Sequence, residues 1–217
     1  MDEQSVNNTL SKGSKTKEKI LKHALKLFSS KGFKATTVRD IAGSIGIKQS
    51  ALYNHFKNKD EILETLIQDL TTSAIVTLFD NKDPSELHKE GKSLLMGIAT
   101  TFKLLSFDGQ NEALFKLLMQ ELFRNERIRE IYNEYFYQEN VKKLSGIFFG
   151  MMQEEVIKSS DPLLLANEFF SPLFFYQMQV SLLKLDKKST SSVVSLFEKH
   201  VEHFWDNVKV EKQASLF

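Results

Sequence analysis

The chain has 217 residues, no cysteine, three prolines and a formal net charge of +1. That length holds one small and one medium domain, each with a core large enough to need no disulfide or metal staple. The absence of cysteine excludes a disulfide framework and thiolate metal sites, and it suits a reducing compartment, so a cytoplasmic protein is expected.

In chain order, the opening MDEQSVNNTLSKGSK lacks the apolar core of a signal peptide and reads as a flexible basic and polar arm over 1–14. Ile20, Ala24, Leu27 and Phe28 then recur at the spacing of an amphipathic helix over about 16–31, with Gly32 placed as its C-cap. Thr37 and Asp40, three residues apart, form a capping-box-like helix start. Ile41, Ala42 and Ile45 follow at helical spacing, Gly46 marks a sharp turn that needs positive φ, and Ile47 reads as a buried hinge contact. A second short helix over 48–55 points Leu52 and Phe56 inward. Lys48, Gln49, Ser50, Tyr53, Asn54 and His55 remain for the other side. Two short helices joined by a glycine turn are the shape of a helix-turn-helix DNA reader, whose second helix lies in the major groove. Asn58 with Glu61 is a further capping signal, and Ile62, Leu63, Leu66, Ile67 and Leu70 continue into a connector over about 59–80 that reaches Ile75, Leu78 and Phe79.

The stretch GFKATTVRDIAGSIGIKQSALYNHFKNKDEIL resembles the N-terminal domain of the tetracycline-repressor (TetR) family of transcriptional regulators. The likeness rests on Gly32-Phe33, the paired threonines, Ile41-Ala42, Gly46, Leu52-Tyr53, His55-Phe56 and the Lys57-Asn58-Lys59 exit, within about residues 15–70. It implies an all-α chain of about nine helices: a helix-turn-helix DNA-binding domain over 15–60, then an effector-binding and dimerisation domain over 61–217. It also implies a homodimer on a palindromic operator in double-stranded DNA, released by a small apolar or aromatic effector. Thr37, Arg39, Gln49, Ser50, Tyr53 and Asn54 are expected near bases or backbone, with Lys48, Lys57 and Lys59 on phosphate. His55 is either a DNA contact or a packing support.

Charge agrees with that orientation. Between Lys12 and Lys59, twelve basic residues stand against Glu18 and Asp40, a surplus of ten that leaves −9 for the remainder. Phosphate neutralisation drives nucleic-acid binding, so a basic head on an acidic body directs one end to DNA; a lysine-rich face is also simply well solvated.

Beyond the head, helices are expected at 84–106, 110–124, 126–158, 162–184 and 190–209. Asp83-Pro84 and Asp161-Pro162 mark two starts by pairing an acidic N-cap with proline at the first helical position. Pro162 to Leu183 is strongly apolar, yet Asn167, Glu168, Gln177, Gln179 and Pro172 argue against membrane insertion. Val194, Phe197, Val201, Phe204 and Val208 step by 3, 4, 3 and 4, a short heptad seam. With Leu165, Phe169, Pro172 and Tyr176 this seam is expected to form the dimer interface, since a helix apolar on every face needs cover on every face.

Phenylalanine and methionine are abundant in the middle helices. Met96, Phe102, Phe115, Met119, Phe123, Phe136, Phe148, Met152 and Phe174 are each either ordinary core or the wall of an apolar effector pocket, as is Met151. Glu121 and Glu168 are candidate polar anchors. No cofactor is expected, and no phosphate-loop, dinucleotide, zincin or nucleophile-elbow motif is present. His200 and His203 lack a third convergent ligand, so no metal site is assigned. Three classes fit these features: a ligand-responsive repressor, a DNA-binding dimer without small-molecule control, and a helical enzyme or scaffold with a basic head.

Overall fold

The computed structural model describes residues 3–72 and 83–211; the side chains of 1–12 and a few others, Phe136 among them, lie outside the description. The regular elements of the described residues are all helices, apart from one isolated antiparallel bridge between Ile157 and Lys209. Two compact units emerge, one of residues 1–70 with 113–131, the other of 71–112 with 132–217.

The first unit contains α1 (Glu3–Lys31), α2 (Val38–Ile45), α3 (Gln49–Tyr53) and α4 (Lys59–Thr72), together with most of α7 (Gly109–Leu122) and all of α8 (Glu126–Ile131). Residues 3–14, expected as an arm, are the first turns of α1. Helix α1 ends where Gly32 takes φ +88° and donates its N–H to the Phe28 carbonyl. Ile20, Ala24 and Phe28 are fully buried, and the Phe28 and Phe33 rings meet edge to face at 5.1 Å. Burying a side chain such as Phe28 contributes about 1.5–3 kcal/mol, which holds α1 over the two short helices. Ile41, Ala42, Leu52, Phe56, Ile62, Leu63, Leu66 and Ile67 complete this core, and Ile47 is half-buried. Ile75, Leu78 and Phe79, the far end of the expected connector, lie outside the described residues.

The second unit contains α5 (Pro84–Glu90), α6 (Lys92–Leu105), α9 (Lys142–Gln153), α10 (Pro162–Leu185), α11 (Ser191–Val194) and α12 (Leu196–Val208), with a π-helical segment at Tyr132–Val141. Three expected helices are divided. The helix over 84–106 breaks at Gly91, which takes φ +52° against the Trp205 indole; a Cβ there would lie 2.9 Å from that ring. The helix over 126–158 passes through the π-helical segment and stops at Gln153. Glu155 then takes positive φ, and Lys158 N–H donates to the Val208 carbonyl at 2.7 Å, closing the bridge to the C-terminal helix. The last helix is split into α11 and α12. Asp161 caps α10 as its sequence indicates, its carboxylate accepting from the N–H groups of Leu163 and Leu164 at 2.8 and 3.0 Å. No helix among the described residues is long and apolar enough to cross a membrane.

The expected dimer seam is used inside the chain. Phe197 and Val201 are fully buried, as is Phe169, and Leu165, Phe204 and Val208 are nearly so. Helix α12 packs on α6 and α10, with the Phe204 ring 5.2 Å from Phe169 and 5.7 Å from Phe148. Tyr176, half-buried, meets Phe197 at 5.5 Å, while Pro172 and Val194 are half-buried at the margin. Leu165, Phe169, Phe197, Val201, Phe204 and Val208 are thus covered within their own chain and are corrected to intrachain core, while Pro172, Tyr176 and Val194 keep part of their surface open. The opposite face of α10 is open: Leu164, Phe175, Leu182 and Leu185 are each half or more exposed. Their spacing of 11, 7 and 3 keeps them on one side of the helix.

Candidate nucleic-acid interface

The reader is assembled from its caps upward. Thr37 and Asp40 form a reciprocal capping box: Thr37 Oγ1 accepts from Asp40 N–H at 3.1 Å, and Asp40 Oδ2 accepts from Thr37 N–H at 2.9 Å. The Thr37 hydroxyl also donates to Asp40 at 2.7 Å, and these bonds hold the Asp40 carboxyl below its usual range. Gly46 closes α2 in the left-handed region at φ +79°, with its N–H directed to the Ala42 and Gly43 carbonyls. The chain then turns into α3, which is anchored from below by Leu52 and Phe56, both buried.

This leaves a continuous outward set. Lys48, Gln49, Ser50, Tyr53 and Asn54 are exposed, Tyr53 with about half its surface open at 52%. Thr37 and Arg39 are exposed beside them at the start of α2, Lys57 is exposed on the exit, and His55 is half-buried. Gln49 and Asn54 offer both donors and acceptors, the tyrosine adds an aromatic face, and the lysines supply charge, the combination that base edges and phosphates need. Asn58 Oδ1 accepts from Glu61 N–H at 2.8 Å, starting α4 as expected.

Lys59 differs from its expected place. Its Nζ turns inward and donates to the Phe33 and Thr36 carbonyls at 2.7 and 2.9 Å, and it sits 4.2 Å from the centre of the Phe33 ring. The sequence sign for this is slight: a lysine between the capping pair Asn58 and Glu61 looks like any other cation of a basic exit.

The expected effector residues are dispersed. Phe102 and Phe148 are buried in the second unit's core, Phe102 facing Phe170 at 6.1 Å. Phe174 is half-buried with its ring 6.4 Å from Tyr132, whose phenol burial pushes up from its ordinary value. Met152 is half-buried against the same core. Phe115 is buried and Met119 half-buried in the first unit, Phe123 is 86% exposed, and the Phe136 side chain is outside the description. Phe123 is therefore no pocket wall in this chain. Met96 lines an open groove of about 590 Å³ with Lys92, Ser93, Gly97 and Thr100. A second groove of about 780 Å³ runs over the Lys103–Glu198 ion pair and beside Lys184, which pairs with Glu112. Glu121 is buried and Glu168 exposed. His200 donates from Nε2 to the Phe169 carbonyl at 2.9 Å, and His203 lies against Asn207; no group of three potential metal ligands occurs among the described residues.

Residues 20–66 match the family described as bacterial regulatory proteins, tetR family. The chain is 42% identical over 62 residues to the HTH-type transcriptional repressor KstR2 of Mycolicibacterium smegmatis, across 29% of this chain and 30% of that protein. It is 40% identical over 67 residues to the biofilm operon icaADBC HTH-type negative transcriptional regulator IcaR of Staphylococcus epidermidis, across 31% and 36%. The chain thus spans about a third of the length of these relatives. Solved structures extend the likeness in fold: the SmeT–triclosan complex superposes with a TM-score of 0.71 at 15% identity, covering 90% of this chain and 92% of that one. A transcriptional regulator from Saccharomonospora viridis in complex with choline gives 0.67 at 18%, covering 91% and 100%.

Proposed function

We infer, from a chain that belongs through its residues 20–66 to the tetR family of bacterial regulatory proteins, that it is a cytoplasmic repressor that binds a palindromic operator as a homodimer and lets go when a small apolar or aromatic effector binds its body. It acts by binding, with no catalytic step. The observation that carries this reading is the exposed set Gln49, Ser50, Tyr53 and Asn54 standing over buried Leu52 and Phe56, at the end of the chain that holds the basic surplus.

The open apolar face of α10 supports the dimer. Leu164, Phe175, Leu182 and Leu185 lie opposite the side that Phe169, Leu173 and Val180 bury, and a second copy of the same helix covers them economically. Two heads related by a two-fold axis then address half-sites about one or more DNA turns apart. The solved neighbours bound to triclosan and to choline support a small-molecule effector in general terms and leave its chemistry open.

Coupling needs an effector that prefers one spacing of the heads. Within the first unit, one ion pair reaches the helix that follows the reader. Helix α7 starts in the second unit and continues into the first, where α8 reaches α4 through Arg127 Nε and Glu64 Oε2 at 3.4 Å. Titrating the chain with aromatic, acyl and drug-like compounds, with and without its selected operator, tests this. Effector affinity falls on operator binding by the same factor as operator affinity falls on effector binding. Tight binders to the body that leave operator affinity unchanged would replace this reading by a DNA-binding dimer under other control.

A further inference from the structure

We propose that Lys59 is a positioning residue of the reader, fastening the α1–α2 turn to the start of α4 from inside the head, and is not one of its phosphate contacts. The inference rests on the DNA-binding reading for its consequence, while the fastening itself stands on the geometry of the free chain.

The turn over 32–37 sets the entry angle of α2. It leaves α1 at Gly32, buries Phe33 and Thr36, and ends at the N-cap Thr37. Inside it, Thr36 Oγ1 donates to the Gly32 carbonyl at 2.9 Å and Thr36 N–H to the Phe33 carbonyl at 3.3 Å. The Phe33 and Thr36 carbonyls both point to one place, and the Lys59 ammonium occupies it at 2.7 and 2.9 Å, over the Phe33 ring at 4.2 Å. Hydrogen bonds from an ionised donor are about twice as strong as neutral ones, and the ring face adds its own attraction for the cation. A side chain committed to two carbonyls and a ring does not also follow a phosphate backbone. Lys48 and Lys57, by contrast, are exposed.

Lys59 is also the first residue of α4. The start of α4, the turn and the N-terminus of α2 with Thr37 and Arg39 therefore form one mechanical piece across 23 to 26 residues of sequence. Any motion of α4 is delivered to the front edge of α2 directly through this side chain as well as through the chain path by way of α3.

The test compares Lys59→Met, which keeps the apolar stem and removes charge and donors, with Lys59→Arg and Lys57→Ala. DNA is the duplex that the wild-type chain selects from a random library, with unselected duplex as comparison. In the free chain, Lys59→Met speeds amide hydrogen exchange over 33–38 while α1 around residues 24–28 stays protected, and Lys59→Arg restores part of the protection. On selected DNA, Lys59→Met weakens binding by about tenfold or more, as the loss of charge-assisted bonds implies, with the slope of log affinity against log salt unchanged. Lys57→Ala lowers that slope by about one and leaves exchange unchanged. A slope lowered by about one in Lys59→Met, with exchange over 33–38 unchanged, would make Lys59 a phosphate contact and overturn the proposal, and so would a Lys59→Met variant that matches wild type in both. If Lys59→Met fails to fold, the Arg variant's exchange decides between the same outcomes. If the wild-type chain selects no DNA, the DNA reading falls and the exchange measurement alone judges the fastening.

Discussion

His88 on α5 occupies the space that any side chain at Gly150 on α9 would need. A Cβ at Gly150 would lie 2.0 Å from the His88 ring, and the same ring is held by its Nδ1 against Glu154 Oε1 at 3.2 Å. The glycine is there for close approach of two helices in the second unit, since it lies inside a helix and has no need of positive φ.

Gly150→Ala therefore destabilises the chain by about 1–3 kcal/mol through overpacking, although alanine is the better helix former by about 1 kcal/mol. Thermal or urea denaturation measures the loss. In a His88→Ala background the same substitution costs less, because the ring is gone; equal costs in both backgrounds contradict the contact.

On α10, Leu182→Glu or Phe175→Glu separates the proposed dimer into folded monomers, because an ionised carboxylate buried without a partner costs more than an uncharged polar group does. Phe197→Glu, at a fully buried position, unfolds the chain instead. Analytical ultracentrifugation with circular dichroism distinguishes the two. A wild-type chain that is monomeric at micromolar concentration removes the basis for the dimer.

The α2–α3 reader and the seam on α12 show where the sequence was readable and where it stopped. The capping box of Thr37, the left-handed Gly46 and the inward Leu52 and Phe56 are set by bonds within a few residues, and each stands where local pattern puts it. The seam of Val194, Phe197, Val201, Phe204 and Val208 was also a true helix-packing seam, but periodicity says only that a face is covered and not whether the cover is the same chain or another copy. Gly91 and Lys59 were missed for a related reason: what determines their roles is Trp205 in one case and two carbonyls some 25 residues away in the other.

His200 gives the second unit a pH dependence. Burial holds its imidazole below the ordinary value of 6.5 despite the hydrogen bond to Phe169, and His203 acts in the same direction. The unfolded chain therefore binds the proton more readily, so the stability that neutral His200 contributes is complete above 6.5 and is lost as pH falls from there through the folded-state value. Wild-type melting temperature should fall over that acidic range more steeply than that of His200→Gln. Parallel profiles would show that His200 does not titrate with folding.

In the head, Thr37→Ala removes one half of the capping box and costs about 1 kcal/mol, measured by urea denaturation at neutral pH. Asp40, held below its ordinary value of 3.8 first by the Thr37 hydroxyl, contributes above 3.8, and its contribution is lost as pH falls through the lowered folded-state value. The gap between wild type and Thr37→Ala accordingly narrows in acid. A gap that is constant with pH contradicts the pairing of these two residues.

Whether α3 reads DNA sequence from a two-fold dimer is measured by selection from a random duplex library, using the full chain and a Gln49→Ala, Tyr53→Ala double variant. The wild-type chain enriches an inverted repeat whose half-sites are about 10 base pairs apart or a multiple of that. The double variant keeps salt-dependent binding to unselected DNA but loses the preference, at a cost of roughly 1–3 kcal/mol per base pair no longer read. Enrichment of no sequence by the wild-type chain, or of the same repeat by both proteins, would contradict that reading.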